Sequence, residues 1–151
     1  MNEFAIDRAL NLWIYKEHIT ICQDYGLIVT TLQGHAKQSL SFPESEGPLK
    51  GSNRNNNFLV VYTTKNYIRI YDLSRRELKQ VGVTRKFEDS KGPLGENIFC
   101  NVNCDGSKVS IIATVKSEQS YQTVLFVYDV EVDAFHQYIF GSNIIITIFL
   151  I

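Results

Sequence analysis

Short apolar runs separated by polar turns recur along the chain, a pattern typical of β-strands joined by hairpins. The runs at 10–15, 18–22 and 27–32 are divided by short polar turns. The stretch 37–42 alternates polar and apolar residues and predicts a fourth, half-exposed strand. No segment keeps a 3.6-residue periodicity over the roughly ten residues that a stable helix needs. The pattern predicts an all-β fold.

The strand pattern resumes after a polar stretch at 43–57 and is interrupted again at 85–96. Further strands are predicted at 58–62, 67–72, 78–83, 97–103, 108–115, 123–129 and 134–140. We interpret 43–57 as a loop, either a variable surface insertion or a binding loop. With this interpretation, the strands predicted at 58–62, 67–72 and 78–83 lack a well-formed first strand before them.

The chain divides into roughly three four-strand groups, at about 10–42, 50–84 and 97–140, with three strands predicted in the second group. The second and third groups share an alternating strand that ends in Tyr-Asp, at Asp72 and at Asp129. WD repeats span about 40–45 residues, contain four strands and carry Trp-Asp in a comparable place. Tyrosine also combines a large ring with a polar end. The extra residues between the two dipeptides fit in the 85–96 loop, so the repeat predicts a β-propeller.

The repeat also predicts the roles of individual residues. We expect Asp72, Asp105, Gly106 and Asp129 to form structural turns of the blades, because carboxylates and glycine suit turns. A second set is expected to face sheet-to-sheet interfaces: Ile68, Ile70, Leu125 and Val127. Arg69 should face the other way or pair with a carboxylate.

Three blades do not close a ring, because propellers have about 4 to 8 blades. The predicted fold class is therefore an all-β, WD40-like β-propeller fragment with about three four-stranded antiparallel blades. We expect the remaining blades to come from a larger protein or from a partner.

Several segments resemble a known family in order. They are Lys37-Gln38, Phe42-Pro43-Glu44-Ser45-Glu46-Gly47, Phe58-Leu59-Val60-Val61-Tyr62, Tyr71-Asp72-Leu73-Ser74-Arg75-Arg76-Glu77 and Phe126-Val127-Tyr128-Asp129-Val130-Glu131-Val132-Asp133. Together they resemble the second propeller of intraflagellar transport protein 140, a WD-repeat subunit of intraflagellar transport complex A. The resemblance covers about residues 5–141, which we expect to form one partial propeller. The apolar tail 142–151 lies outside the resemblance and is what we expect of a truncated product or a gene-model artefact.

The resemblance implies a non-catalytic scaffold that binds other complex A subunits in the cytoplasm, the cilium and the ciliary base. Its implied role is retrograde ciliary transport and cilium assembly. A generic propeller binding module of another vesicle or transport coat is the alternative. A propeller hydrolase would need convergent acidic residues or histidines, for which the sequence offers no pattern.

The charge and composition of the chain argue against several classes of partner. The chain has 15 basic and 16 acidic residues and a net charge of −1, which argues against nucleic-acid binding. The run 144–151 is too short for the roughly 20 residues of a membrane span, so no direct membrane insertion is expected. No motif indicates a cofactor or a small-molecule substrate.

Candidate chemistry is sparse. Cys100 and Cys104 lack a second Cys/His pair, so we predict no metal site and interpret them as buried free thiols. No catalytic residues are predicted. Arg75 and Arg76 form a compact basic pair. They are either a docking contact for an acidic partner or part of a solvated turn beside Glu77.

Overall fold

A computed structural model of the chain describes residues 9–89, 94–95, 97–117 and 120–140. These residues form twelve β-strands and a single 3₁₀ turn at Glu44–Glu46. The first sheet contains β1 (Asn11–Tyr15), β2 (His18–Gln23), β3 (Gly26–Thr31) and β4 (Ala36–Ser41). The middle sheet contains β5 (Leu49–Asn55), β6 (Phe58–Thr63), β7 (Tyr67–Asp72) and β8 (Lys79–Lys86). The third sheet contains β9 (Phe99–Val102), β10 (Lys108–Ser117), β11 (Ser120–Asp129) and β12 (Ala134–Phe140).

Each sheet is an antiparallel meander whose strands follow one another in chain order. The first strand of the middle sheet, β5, contacts both β1 and β9. The three first strands therefore lie side by side while the sheets stack face to face, as blades do around a propeller axis. The predicted all-β architecture of three four-stranded antiparallel blades is confirmed, and the described sheets do not close into a ring.

One of the two inner strands of the middle sheet, β7, is buried on both faces because sheets pack on either side of it. Ile68 and Ile70 enter the core shared with the third sheet, and Tyr71 enters the core shared with the first. Arg69 is also buried and forms an ion pair with Glu46 at 2.6 Å. Its guanidinium lies 4.2 Å from the ring centroid of Phe42. The predictions for Ile68, Ile70 and Arg69 are confirmed.

The prediction for Leu125 and Val127 is wrong. The buried residues of β11 are Val124, Phe126 and Tyr128, whereas Leu125 and Val127 are only half-buried. These two residues occupy the face that corresponds to Ile68 and Ile70 in β7. No described sheet packs on that side of the third sheet, so the same register does not produce the same burial.

The segment predicted as a loop at 43–57 contains a strand, so the prediction of a missing first strand is also wrong. The polar side chains of β5 find their partners on the neighbouring sheets. The Trp13 indole N–H donates to Ser52 Oγ at 2.8 Å, and the Asn53 amide donates to Asn101 Oδ1 at 2.6 Å. Because these partners satisfy the strand's polar groups, β5 needs no apolar pattern of its own.

The second predicted loop, at 85–96, begins later than the sequence indicates. Arg85 and Lys86 belong to β8, and Phe87 is buried in the core between the middle and third sheets. The predicted tail 142–151 lies outside the described residues.

Candidate docking groove

The candidate site begins at the end of β7, where Asp72 organises the loop formed by residues 73–78. One carboxylate oxygen, Oδ1, accepts from the Ser74 backbone N–H at 2.9 Å, the Ser74 hydroxyl at 2.6 Å and the Asn57 amide at 2.8 Å. The other, Oδ2, accepts from Arg75 Nε at 3.2 Å. Burial raises the pKa of this carboxyl, but these hydrogen bonds outweigh burial and lower the pKa below its ordinary value. Asp72 is thus an ionised turn residue whose oxygens are already occupied.

The far end of this loop is tied to the first sheet by Gln38 of β4. The Leu78 backbone N–H donates to Gln38 Oε1 at 2.7 Å, and Gln38 Nε2 donates to the Leu78 carbonyl at 3.3 Å. At the near end, the Leu73 N–H donates to the Asn57 carbonyl at 2.7 Å. Both ends of the loop are therefore anchored.

The two arginines differ in how much of their charge is neutralised. Arg75 is two-thirds exposed and uses only Nε toward Asp72. Arg76 is exposed and has no hydrogen-bond or ion-pair partner within the part of the chain that the structure describes. The structure thus brings the two together on one anchored loop, with Arg76 as the unpaired cation.

The hairpin between β1 and β2 faces this loop from the first sheet. Its turn contains Lys16, whose φ of 51° lies in the left-handed region, and Glu17. The Tyr15 ring has Lys16 Nζ at 5.5 Å and the Arg54 guanidinium at 5.4 Å from its centroid. His18 Nε2 lies 2.9 Å from Lys37 Nζ. Cationic groups from two sheets therefore gather at this hairpin.

Residues 15–18 and 73–76 enclose a surface groove of about 270 Å³, which we call the seam groove. Lys16, Arg75 and Arg76 supply three positive charges, and Glu17 supplies one negative charge. The half-buried Tyr15 supplies most of the apolar surface, because Leu73 lies in the core between the first and middle sheets and is only 6% exposed. The groove spans the junction of the first and middle sheets, and its lining combines cationic groups with an apolar wall.

The other predicted turn residues lie on the third sheet, away from this loop. Asp105 accepts from the Ser107 N–H at 2.9 Å and from its hydroxyl at 2.5 Å. Gly106 has φ of +73°, and a Cβ there would lie 2.5 Å from the Phe58 ring, so the turn admits no side chain without rearrangement. Asp129 accepts from the Glu131 N–H at 3.0 Å. These residues shape turns and form no common site with Asp72.

The cysteines and histidines form no site either. Cys22 and Cys100 are buried, and burial raises the pKa of Cys22 to about 11 and that of Cys100 well above its ordinary value. Both thiols are thus kept protonated and are poor nucleophiles. The prediction that Cys104 is buried is wrong, because β9 ends at Val102 and Cys104 lies exposed in the following turn. Across the described ranges, no group of His, Cys, Asp or Glu could hold a metal ion.

Sequence reasoning found the arginine pair but missed the opposite wall of the groove. Lys16 and Tyr15 lie in a short hairpin that is unremarkable in sequence and far from Arg75. The available signal was the alignment of hairpin ends in neighbouring blades, which places the β1–β2 turn beside the loop after β7.

Among the described residues, no helix is long and apolar enough to cross a membrane.

Comparison with known proteins identifies the family. Residues 2–145 match the model described as the IFT140 second beta-propeller. Among solved structures, the crystal structure of the N-terminal domain of Nup159 aligns with a TM-score of 0.44 and 14% sequence identity. That alignment covers 88% of this chain and 30% of the Nup159 chain. The family match extends over nearly the whole chain, and the chain therefore belongs to the IFT140 second β-propeller family.

Proposed function

We propose that the chain is a non-catalytic propeller scaffold within a subunit of intraflagellar transport complex A. Its role is to bind other subunits of that complex at the ciliary base, in the cytoplasm and in the cilium, and so to serve retrograde transport and cilium assembly. Membership of the IFT140 second β-propeller family supports this proposal. The stacked four-stranded sheets fit it as well, because they present rigid loops at their ends.

The observation that carries the docking role is the exposed, unpaired Arg76 on a loop anchored at both ends. Asp72 and Asn57 hold the start of the loop, and Gln38 holds its end. A loop that is already ordered loses little conformational entropy when a partner binds. An arginine presented in this way can form charge-assisted hydrogen bonds with an acidic partner.

The test is recovery of complex A subunits with the full-length protein carrying R75E and R76E together. We expect recovery to fall while the melting temperature stays unchanged, because exposed charges contribute little to stability. R76E alone isolates the unpaired arginine. K65E is the matched control, since Lys65 is exposed in the turn before β7, at the opposite end of that strand.

Unchanged recovery in the double variant would return Arg75 and Arg76 to an ordinary solvated turn. If the unmodified protein recovered subunits of a different vesicle or transport coat instead, the generic binding-module alternative would replace the complex A assignment.

A further inference from the structure

The seam groove carries more specific information than its arginines alone. Lys16 comes from the first sheet and Arg76 from the middle sheet, so the charged lining exists only where the two sheets pack together. The half-buried Tyr15 adds apolar surface to the same lining. The lining is therefore complementary to a ligand that carries negative charge and at least one apolar side chain.

Two of the three groove cations, Arg76 and Lys16, have no carboxylate partner within the part of the chain that the structure describes, whereas Arg75 pairs with Asp72. Arg76 has no ion-pair partner in the described ranges, and Lys16 has a described contact only with the Tyr15 ring. Asp72 already accepts hydrogen bonds at both oxygens, from Ser74, Asn57 and Arg75, and has no described contact with Arg76. Glu17 is the single carboxylate in the lining, and Glu77 follows in the exposed part of the loop. The balance in the groove stays positive although the whole chain has a net charge of −1.

We propose that the seam groove binds an acidic peptide segment of a partner protein. Carboxylates of the segment pair with Arg76 and Lys16, and an apolar side chain between them packs against Tyr15. This inference rests on the proposed docking role and specifies the chemistry of the partner. A protein segment fits better than a nucleic acid, because nucleic acids call for a basic surface that extends over a face of the domain.

Arg54 and Lys37 strengthen the local positive field without lining the groove. Arg54 stacks on the Tyr15 ring and also donates to the Ile14 carbonyl. Lys37 lies beside His18. Because screening acts over about 8 Å at physiological ionic strength, these neighbours contribute to attraction at short range, and the binding should weaken as salt is added.

The test is fluorescence anisotropy with the full-length protein and a fluorescein-labelled peptide in which glutamates flank a phenylalanine. The reference probes are the same peptide with glutamine in place of glutamate, and a DNA duplex with the same label. We expect R76E to weaken binding of the acidic peptide about tenfold, as loss of a charge-assisted pair does. K16E should weaken it about threefold. K65E should leave it unchanged.

The proposal is overturned if the glutamine peptide binds as tightly, if the duplex binds more tightly than the acidic peptide, or if K65E weakens binding as much as R76E. Circular dichroism melting of R76E and K16E separates lost binding from lost folding. If the peptide fails to bind while R75E/R76E still abolishes recovery of complex A subunits, docking stands and only the acidic chemistry is wrong. If the peptide binds and recovery is unaffected, the groove is an acidic-peptide site that complex A assembly does not use.

Discussion

The two junctions that join the three sheets differ most in the size of their apolar cores. Between the middle and third sheets, the described residues form a core of fifteen buried side chains, whereas the core between the first and middle sheets contains eight. The first–middle junction adds hydrogen bonds from Trp13 to Ser52 and from Leu78 to Gln38. It also contains the Arg69–Glu46 ion pair. The middle–third junction adds the Asn53–Asn101 hydrogen bond and an ionic clamp in which Arg85 pairs with Asp133.

This difference separates stability from recognition. A large apolar core gains most of its free energy from burial, and its residues are unavailable to a partner. The first–middle junction buries fewer apolar side chains and has cationic side chains at its rim. The Gln38–Leu78 hydrogen bonds, which join its two sheets, also order the loop carrying Arg75 and Arg76. The seam groove lies at this rim.

The largest effect should come from removing apolar volume at the middle–third junction. Ile70→Ala is expected to lower the free energy of unfolding by about 2–5 kcal/mol, because it leaves a cavity in a packed core. The control is Ile14→Ala, whose side chain is 52% exposed in the first sheet. That variant should change stability by less than about 0.5 kcal/mol. Denaturant unfolding measures both, and equal losses would contradict the assigned burial of β7.

A smaller effect is expected at the first–middle junction. Gln38→Ala removes both hydrogen bonds to Leu78 and should lower the free energy of unfolding by about 1 kcal/mol. Partner recovery should fall as well, because the loop loses one anchor. Ser39→Ala, at the exposed neighbouring position of β4, is the control. If Gln38→Ala lowers stability and leaves recovery intact, the anchored loop is not what positions the arginines.

The Arg85–Asp133 ion pair should affect the pH dependence of stability more than the free energy of unfolding at neutral pH. Hydrogen bonds from Arg85 and Tyr128 lower the pKa of Asp133 to about 2, below its ordinary value of 3.8. A depressed native pKa adds stability above the unfolded pKa, and that stability disappears as the pH falls from about 4 towards 2. Asp133→Asn should therefore flatten this part of the stability–pH curve. Glu131→Gln, in the same turn, should keep the slope of the unmodified chain.

The sequence allowed most strands to be predicted, because apolar runs and hairpin turns are local signals. The strand β5 was not predicted, because its polar residues form hydrogen bonds with Trp13 and Asn101, which lie on other sheets and are distant in sequence. Leu125 and Val127 were placed on the correct face by the repeat, but burial depends on what packs against that face. Local pattern carries no information about such a neighbour.

The residues of the candidate site likewise differ in whether the sequence alone predicts them. Arg75 and Arg76 are adjacent in sequence and could be found as a basic pair. Lys16 and Tyr15 join them only after the sheets stack, and the anchoring of Leu78 by Gln38 is a contact between sheets. The charge of the groove was predictable from sequence in part, whereas its shape was not.

The central claim is that partners dock across the first–middle junction, on both walls of the seam groove. Hydrogen-exchange mass spectrometry of the full-length protein, free and assembled with complex A subunits, tests it most directly. We predict slower exchange on assembly in residues 15–18 and in residues 73–76, with no change in the turn at residues 64–66 at the opposite end of the middle sheet. Unchanged exchange in both groove segments, or protection confined to residues 64–66, would contradict the claim.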